Sequence, residues 1–369
     1  MASLALLCLA CNRQEETSPP SSPDSYCLPY GEFNPNYSAG CRIHPICRVE
    51  NAVTAPLIQD GYLYIFTVNK GGNVAIFPVD PPIPSQRIGQ TDYLPFKIGD
   101  RLAISFVNTL ERGFEALLFD ISDPVHPLEL SRISTDGRSL RDWLVIGNAI
   151  YLALGHGEGV REGLELVDIS DPRNPVYSYD FPKVDSPAWF DGVTRLFAHV
   201  GNYAFMETYE GLTLIDVSDP FRPRITASKI EGNLRARSEV ELVMNSTHAY
   251  WMAREVYDPV DSINHPGGWI SVFDYTEPTA PREVGRYLDL AQSYTMTMEG
   301  NRLFITDIEL GFLILDISNP IQPEFLGNFK LRPRTNASDQ FTAVSILGNT
   351  AYVSHIDLGL LVLDISDCR

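Results

Sequence analysis

Long apolar runs are absent from this sequence of 369 residues. No stretch reaches the roughly 18 apolar residues that a membrane-spanning helix needs, so we expect none. Basic residues are few: 28 Lys and Arg stand against 47 Asp and Glu, a net charge of −19. A surface so acidic repels phosphate backbones, and a nucleic-acid partner is therefore not expected. The apolar fraction of 44% is ample for a large core and excludes global disorder.

Signatures of catalysis and metal binding are scarce as well. No G-x-S-x-G segment occurs, so a nucleophile elbow is not indicated. Beyond the first eleven residues no two cysteines have C-x-x-C spacing, and the histidines are scattered along the chain. We therefore expect no metal site and no cofactor.

The N-terminus combines a short apolar run with a polar tract. Met1–Cys11 reads MASLALLCLAC, and residues 12–25 are rich in Pro, Ser and Glu. An apolar run of this length fits the core of an export signal rather than a membrane span. The segment resembles a bacterial lipoprotein signal, in which Cys11 carries the lipid. The polar tract would then be a flexible tether.

Three segments follow from this interpretation. Residues 1–11 are the predicted lipoprotein signal peptide, residues 12–40 a Pro/Ser-rich tether with an N-terminal extension, and residues 41–369 a single domain. The expected location is the outer membrane or surface of a bacterial cell envelope, with the lipid as the membrane contact. An ordinary secretory signal, and hence a secreted protein, is the alternative.

One motif recurs through the predicted domain. Leu164–Pro175 reads LELVDISDPRNP, an apolar strand that runs into a turn rich in Asp and Pro. Copies stand at Leu117–Pro127, Leu212–Pro223, Ile270–Pro281 and Phe312–Pro323, and a last copy is cut off as LLVLDISDCR. The first Asp of the motif recurs at intervals of 42 to 58 residues. Such a period is typical of propeller blades.

Tight-turn pairs give a second periodic signal. Gly147-Asn148, Gly201-Asn202 and five similar pairs separate strand-like runs, and these residues accept the positive φ of two-residue hairpins. Seven pairs predict seven units of four strands. The predicted fold is therefore an all-β, seven-bladed β-propeller with four-stranded antiparallel blades.

The motif resembles that of the LVIVD repeat family, bacterial surface and secreted proteins with a β-propeller fold. The resemblance rests on Gly211–Pro220 (GLTLIDVSDP) and its relatives, and it extends over about residues 45–369. The family has no common catalytic residues, so the resemblance implies a fold and no activity.

The last unit lacks the segment that follows Asp367, and a matching segment stands near the N-terminus. Aligned with Asp171–Tyr177, Cys41–Val49 reads as the missing outer strand, with Pro45 in the place of Pro175. We therefore predict that the N-terminal segment completes the last blade, which removes open sheet edges.

Four cysteines lie outside the predicted signal, an even number that indicates disulfides in an exported chain. In the alignment just given, Cys41 and Cys368 fall close together. A Cys41–Cys368 disulfide is therefore predicted, which leaves Cys27–Cys47 as the second pair.

The repeated aspartates of the motif have two possible roles. Asp and Ser oxygens are calcium ligands in many proteins. Alternatively, they accept backbone N–H bonds in turns that a following proline makes rigid. Repetition in every blade favours the structural role.

Function is expected where the units differ. Counting back six residues from each hairpin pair gives a set of residues predicted to ring one mouth of the central channel: Thr54, Tyr93, Arg141, Arg195, Glu239, Tyr294 and Thr342. Arginine and tyrosine suit an anionic or carbohydrate-like ligand. The alternative is a solvent-filled entrance in which Arg141, Arg195 and Glu239 pair with one another.

Two longer loops are predicted on the same face, Gly155–Gly163 of the third unit and Ala253–Gly268 of the fifth. Long loops on a rigid scaffold often carry binding residues; surface decoration is the alternative. The second loop supplies four further candidates: Tyr257, Asp258, Asp261 and His265.

These features favour a non-catalytic binding or interaction scaffold, monomeric, with a cell-envelope protein or glycan as its partner. The competing class is a hydrolase or lyase that acts on an anionic or carbohydrate substrate at the channel mouth. Oriented carboxylates, histidine or a metal at the mouth would favour the enzyme. An exposed aromatic or apolar patch on one loop face would favour the scaffold.

Overall fold

The computed structural model describes residues 35–36, 40–49, 56–66, 73–79, 87–109, 113–155, 163–177, 193–208, 211–228, 230, 235–238, 241–258, 263–331 and 340–368. Within these ranges the chain forms β-strands and turns and no helix. In particular, no helix that could cross a membrane occurs there. The all-β class predicted from the sequence is confirmed.

Seven antiparallel sheets form the blades of a ring. The N-terminal segment contributes β1 (Pro35–Asn36) and β2 (His44–Val49). Blade 1 consists of β3 (Leu57–Gln59), β4 (Tyr62–Phe66), β5 (Val74–Pro78) and β6 (Gly89–Thr91). Blade 2 consists of β7 (Phe96–Lys97), β8 (Leu102–Thr109), β9 (Gly113–Asp120) and β10 (Leu128–Ser134). Blade 3 consists of β11 (Leu140–Ile146), β12 (Ala149–Leu154), β13 (Gly163–Asp168) and β14 (Val176–Tyr177).

The second half of the ring repeats this plan with two additions. Blade 4 consists of β15 (Val193–Val200), β16 (Tyr203–Thr208), β17 (Gly211–Asp216) and β18 (Arg224–Ala227). Blade 5 consists of β19 (Arg235–Ser238), β20 (Glu241–Met244), β21 (His248–Asp258), β22 (Ile263–Asp274) and β23 (Arg282–Tyr287); β19 and β20 both pair with β21. Blade 6 consists of β24 (Ser293–Glu299), β25 (Arg302–Asp307), β26 (Gly311–Asp316) and β27 (Glu324–Leu331), with β1 added outside β27. Blade 7 consists of β28 (Phe341–Leu347), β29 (Thr350–His355) and β30 (Gly359–Asp364), with β2 as its outer strand.

The hydrophobic core lies between neighbouring blades. Between blades 6 and 7, for example, Phe312 and Phe329 pack with Phe341 and Val353, and all four are fully buried. Because neighbours cover both sides of a blade, its middle strands are almost continuously apolar. Every residue of β12 (AIYLAL) is buried. This burial explains why the motif strands read as unbroken apolar runs in the sequence.

The two ends of the ring carry different connections. In blade 3, Asp168 at the end of β13 pairs with Ala149 at the start of β12, so the motif turn lies beside the first hairpin. We call this end the turn face. The first strands begin at the opposite end, where the second strand of each blade also connects to the third. We call that end the mouth face.

The strand β2 completes blade 7, as the sequence predicts. It pairs antiparallel with β30, and His44 stands opposite Asp364. Val176 stands opposite Asp168 in the same way in blade 3. The closure of the ring by the N-terminal segment is therefore confirmed.

The predicted register of this strand, however, is wrong by two residues. The pairing just described puts Ile43, and not Pro45, in the place of Pro175. Ile43 is fully buried in the core between blades 6 and 7. Burial of the aliphatic side chain, rather than the position of a proline, therefore sets the register.

The predicted disulfide between Cys41 and Cys368 is confirmed, with the two Cα atoms 5.1 Å apart. In the register of β2, these residues occupy the positions of Arg173 and Pro172, which are consecutive in blade 3. The disulfide therefore stands where blade 3 has a peptide link within its motif turn.

The rest of the N-terminal segment is also held at this seam. Pro35 and Asn36 pair with β27 of blade 6, so the segment contacts blade 6 before it completes blade 7. Cys47 is disulfide-bonded too. Its partner lies outside the described residues, as do Cys11 and Cys27, so the Cys27–Cys47 pair stays a prediction.

Outer strands carry a small residue where the next blade approaches. The position faces the residue two before the motif Asp or its equivalent, and it is occupied by Gly89, Ser131, Ala227, Gly285, Gly327 and Cys47. A Cβ on Gly285 would lie 2.0 Å from the carbonyl oxygen of Ile321 in blade 6. A Cβ on Gly327 would lie 2.8 Å from the carbonyl oxygen of Cys41. Small residues thus let each motif turn pack onto the preceding blade.

Candidate functional site

The motif aspartates accept backbone hydrogen bonds. In six blades the first Asp of the motif accepts the N–H of the residue two positions on, at 2.7–2.9 Å: Asp120, Asp168, Asp216, Asp274, Asp316 and Asp364. Hydrogen bonds from the hydroxyl and N–H of Ser318 hold the pKa of Asp316 below its ordinary value. These are the bonds of an Asx turn, as the structural interpretation of the motif predicts. No group of three His, Cys, Asp or Glu side chains in the described ranges is placed to hold a metal ion.

The motif turn is tied to its own blade and to the blade before it. Within blade 3, the N–H of Ile169 donates to the carbonyl oxygen of Asn148 in the first hairpin, at 2.8 Å. Between blades, the hydroxyl of Tyr151 donates to the carbonyl oxygen of Pro220 in the motif turn of blade 4. Burial raises the pKa of this phenol, so it keeps its proton. The repeated residues of the turn face therefore serve the joints between strands and blades.

At the mouth face, β-bulges mark the start of several first strands. In blades 3, 6 and 7 the extra residues of these bulges are Arg141, Tyr294 and Thr342. In blade 4 the extra residue is Thr194, and Arg195 follows it. A bulge bends a strand and redirects a side chain. Four residues of the predicted ring thus lie at the mouth-face ends of their first strands.

The other three members of the predicted ring are Thr54, Glu239 and Tyr93. Thr54 and Glu239 lie outside the described residues. Tyr93 precedes β7 and packs against Phe119 of β9, with ring centroids 5.7 Å apart. Its phenol is a hydrogen-bond partner of Arg132 in the outer strand β10. Tyr93 therefore contacts the third and outer strands of its own blade.

Two acidic side chains that belong to no motif bridge neighbouring first strands. The carboxylate of Asp142 accepts the N–H of Leu196 in blade 4, at 3.0 Å. The carboxylate of Glu241 in blade 5 accepts the N–H of Met296 in blade 6. The only signal for them in the sequence is an acidic residue directly before the apolar run of a first strand.

Register shows that the two carboxylates are equivalent and that Arg195 shares their position. Asp142, Arg195 and Glu241 pair with residues that hold the same place in the second strands of blades 3, 4 and 5. The counterpart of Arg195 in blade 5 is thus Glu241 and not Glu239. Counting back from the hairpins fails here for two reasons: β15 contains a second bulge, and the first hairpin turn of blade 5 is longer than that of blade 4.

Two of the charges at this position, Asp142 of blade 3 and Arg195 of blade 4, interact across neighbouring blades. Burial raises the pKa of Asp142 to about 6, while hydrogen bonds from the N–H groups of Leu196 and Trp143 and the positive charge of Arg195 act in the opposite direction. A carboxylate, a guanidinium and a carboxylate therefore follow one another around blades 3, 4 and 5.

Two further ionisable side chains, Asp307 and His355, lie at the mouth-face ends of second strands and form contacts within their own blades. Asp307 is fully buried and accepts four hydrogen bonds, from the N–H groups of Ala291, Glu309 and Leu310 and the hydroxyl of Ser293. His355 packs edge-on against Phe341, with ring centroids 5.1 Å apart, and accepts the N–H of Asp357. Both side chains thus hold the segment that connects the second strand to the third strand.

The two predicted loops differ in the structure. In blade 3, Arg141 lies across the start of the first loop: a Cβ on Gly155 would come within 3.1 Å of its Nε atom. Residues 156–162 lie outside the described ranges. In blade 5, most of the predicted loop is strand, because β21 and β22 extend beyond the blade and β19 pairs with the extension. The prediction of a loop there is wrong, since paired backbone groups lengthen the hairpin instead.

Three candidates of this second loop, Tyr257, Asp258 and His265, lie on the extended hairpin. Tyr257 stands opposite Asn264, and Asp258 opposite Ile263, two register positions beyond the pair formed by His265 and Val256. Asp261 lies outside the described residues. The hairpin rises from the mouth face of blade 5, and β19 contributes Arg235 opposite Tyr257.

Comparison with known proteins identifies the repeat and the fold. The family model of the LVIVD repeat matches residues 138–181, 192–228, 295–330 and 341–368. No curated protein matches the chain in sequence. Among solved structures, the computationally designed Ika8 protein has a TM-score of 0.52 and 12% identity, over 88% of this chain and 100% of its own.

Two natural proteins show the same architecture. The N-terminal domain of Nup159 has a TM-score of 0.56 and 8% identity, over 90% of this chain and 98% of that one. The periplasmic gluconolactonase PpgL of Pseudomonas aeruginosa has a TM-score of 0.52 and 13% identity, over 90% and 94%. Identities this low carry the fold alone.

Proposed function

Because this chain is an LVIVD-repeat β-propeller, we propose that it is a non-catalytic binding scaffold of the cell envelope that engages its partner on the mouth face. The observation that carries this proposal is the difference between the two faces. Polar groups of the turn face form the same internal hydrogen bonds in blade after blade. Equivalent positions at the mouth face instead differ in charge and size. Variable side chains on a rigid scaffold are typical of binding sites.

The partner class that suits the mouth face is a cell-envelope protein or glycan with anionic groups. Arg141 and Arg195 come from adjacent blades, and guanidinium groups bind carboxylates through paired hydrogen bonds. Tyr294 adds an aromatic ring and a hydroxyl. The extended hairpin of blade 5 adds surface beside these side chains.

Matched arginine variants test the proposal. Arg173 and Arg222 are exposed in the motif turns of the same two blades and serve as the control pair. Wild type, R141A/R195A and R173A/R222A would be immobilised and incubated with fractionated envelope glycans and proteins. We expect the mouth variant to lose at least tenfold in captured partner, while the turn variant captures as much as wild type. Equal capture by both variants would overturn the assignment of the mouth face.

The competing function is a hydrolase or lyase at the same mouth. PpgL, which shares the fold, is a lactonase, so sugar lactones and anionic polysaccharides are suitable substrates for an assay. The scaffold proposal expects no product above the rate of the R141A/R195A variant. Turnover that is lost in that variant would replace the scaffold proposal with the enzyme.

Anchoring through Cys11 belongs to the same proposal. Its support is the short apolar run and the polar tract around this cysteine. Metabolic labelling with a fatty-acid analogue should mark the wild-type protein and leave Cys11→Ser unlabelled. Release of unlabelled wild type into the medium would favour the secreted alternative.

A further inference from the structure

In blade 7, the Cys41–Cys368 disulfide connects the motif turn to the outer strand. In the other blades, the main chain makes this connection. In blade 3 the residues at these two positions, Pro172 and Arg173, are neighbours in sequence. The outer strand of that blade therefore cannot leave its motif turn without breaking a peptide bond. In blade 7 the same connection is a bond between two sulfur atoms.

Apart from the Cys41–Cys368 bond and the disulfide at Cys47, the following non-covalent contacts hold β2 in place. The N–H of Cys41 donates to the carbonyl oxygen of Leu326 in blade 6, at 2.7 Å. Ile43 and Val49 are buried in the cores on either side of blade 7. The strand itself is held by its pairing with β30. Its removal would uncover the hydrogen-bonding edge of β30, a strand whose first five residues are buried.

We propose that this disulfide is a reducible clasp and that the outer strand β2 separates from β30 in blade 7 when the bond is reduced. The reductant is a dithiol. Its thiolate attacks the sulfur of Cys41, which is a partly exposed residue whereas Cys368 is buried, Cys368 leaves as a thiolate, and the second thiol of the reductant then displaces Cys41. Two electrons and two protons pass to the protein, which gains two thiols, and the dithiol becomes a cyclic disulfide.

The opening is local because the neighbouring blades keep their main-chain links. Without the clasp, β2 behaves as an edge strand whose end frays, and strand edges and termini are the segments that open at lowest free energy. The motif turn of blade 3 contains no such bond and stays closed under the same conditions. The redox state would thus decide whether the last blade has three strands or four, independently of what the mouth face binds.

Hydrogen exchange measured by mass spectrometry tests the clasp. The Cys47→Ser variant is used, so that Cys41–Cys368 is the disulfide that the described residues retain. After dithiol treatment, we expect amides of β2 and β30 to exchange at least tenfold faster and to recover on reoxidation. Amides of β13 and β14 in blade 3 should exchange as before.

A second variant separates reduction from other effects of the reagent. C41S/C368S should exchange in β2 and β30 like the reduced protein, and it should not respond to the dithiol. Unchanged exchange in β2 and β30 after verified reduction would overturn the proposal. Equal acceleration in blade 3 would overturn it too, because the bond would then support the whole ring rather than a local joint.

Discussion

The turn face and the mouth face are built from the same strands, yet they use polar residues in different ways. On the turn face, Asp168 and its five equivalents each accept an N–H two residues on, and the bond lengths agree within 0.2 Å. On the mouth face, one register position is acidic in blade 3, basic in blade 4 and acidic in blade 5. The repeat thus keeps the same hydrogen-bond geometry at the turn face, whereas the charge of equivalent side chains varies at the mouth face.

The difference also separates two kinds of charged group. Carboxylates of the turn face are solvated and hydrogen-bonded, which lowers the pKa of Asp216 and Asp316. At the mouth face, Asp142 is partly buried, and desolvation raises its pKa to about 6. A carboxylate can therefore be structural on both faces, but with opposite consequences for the dependence of stability on pH.

The largest effect is expected where one blade's motif turn meets the preceding outer strand. Replacing Gly285 with alanine puts a Cβ 2.0 Å from the carbonyl oxygen of Ile321. Because this oxygen belongs to the backbone, a change of side-chain rotamer cannot relieve the clash. We expect Gly285→Ala to lower the free energy of unfolding by about 2 kcal/mol. Urea denaturation of wild type and Gly285→Ala measures this difference in the free energy of unfolding.

Gly99→Ala is the matched control for this substitution. The nearest atom to a Cβ on Gly99 is Leu102 Cβ, at 3.7 Å, which is ordinary contact. We expect this variant to stay within about 0.5 kcal/mol of wild type. Equal losses in the two variants would mean that the close approach of blades 5 and 6 does not limit the packing.

Periodicity explains how much of the fold can be predicted from the sequence. The motif strand, the hairpin pair and the Asp-Pro turn each depend on local chemistry, so seven blades, the closure by β2 and the Cys41–Cys368 bond could all be inferred. The register of β2 could not, because Ile43 and Pro45 compete for one position and burial between two blades decides between them. A side chain is buried between two blades only after the blades have assembled, so the sequence of β2 alone does not reveal this register.

The candidate site was harder to predict for the same reason. Arg141, Arg195 and Tyr294 were found by counting along the chain, which works while each first strand has the same number of bulges. The extra bulge in β15 and the bridging role of Glu241 come from pairing between strands, which a count cannot register. The packing of the Tyr93 ring against Phe119 likewise depends on contacts between strands and not on a count along the chain.

A smaller effect is expected from the partly buried carboxylate of Asp142 at the mouth face. Because the folded pKa of Asp142 is about 6, above the ordinary value of 3.8, the folded state binds this proton more tightly than the unfolded state. Its contribution to stability therefore falls as pH rises from about 4 to about 6. The shift corresponds to roughly 3 kcal/mol at 1.36 kcal/mol per pH unit, and partial exposure reduces the expected effect to about 1–2 kcal/mol. Urea denaturation at several pH values should show this slope in wild type and lose it in Asp142→Asn.

Asp316 on the turn face provides the opposite case. Its folded pKa is lowered from 3.8, so its contribution to stability is present above about pH 4 and is lost as pH falls further. Asp316→Asn should therefore be less stable than wild type above about pH 4, and the two curves should converge as pH falls further, whereas Asp142→Asn alters the slope between pH 4 and 6. Parallel curves for wild type and Asp142→Asn between pH 4 and 6 would show that the mouth-face carboxylate is not buried in solution.

The smallest effect is expected from a single tyrosine hydroxyl. It is also the sharpest test of the hydrogen bonds that join neighbouring blades. Tyr151 and Tyr250 occupy the same place in the second strands of blades 3 and 5, two residues after the partner of the motif Asp. The Tyr151 hydroxyl donates to the carbonyl oxygen of Pro220 in the next motif turn. The Tyr250 hydroxyl is buried without a hydrogen-bond partner among the residues that the structure describes.

Replacing each tyrosine with phenylalanine removes one oxygen atom and keeps the ring. Tyr151→Phe should therefore lower the free energy of unfolding by about 1 kcal/mol, because the carbonyl of Pro220 loses its donor. Tyr250→Phe should be neutral or slightly stabilising, since it removes a buried hydroxyl that has no partner to lose. Urea denaturation of both variants gives the comparison. If Tyr250→Phe costs as much as Tyr151→Phe, the phenols act through packing, and the hydrogen bond to the motif turn does not hold neighbouring blades together.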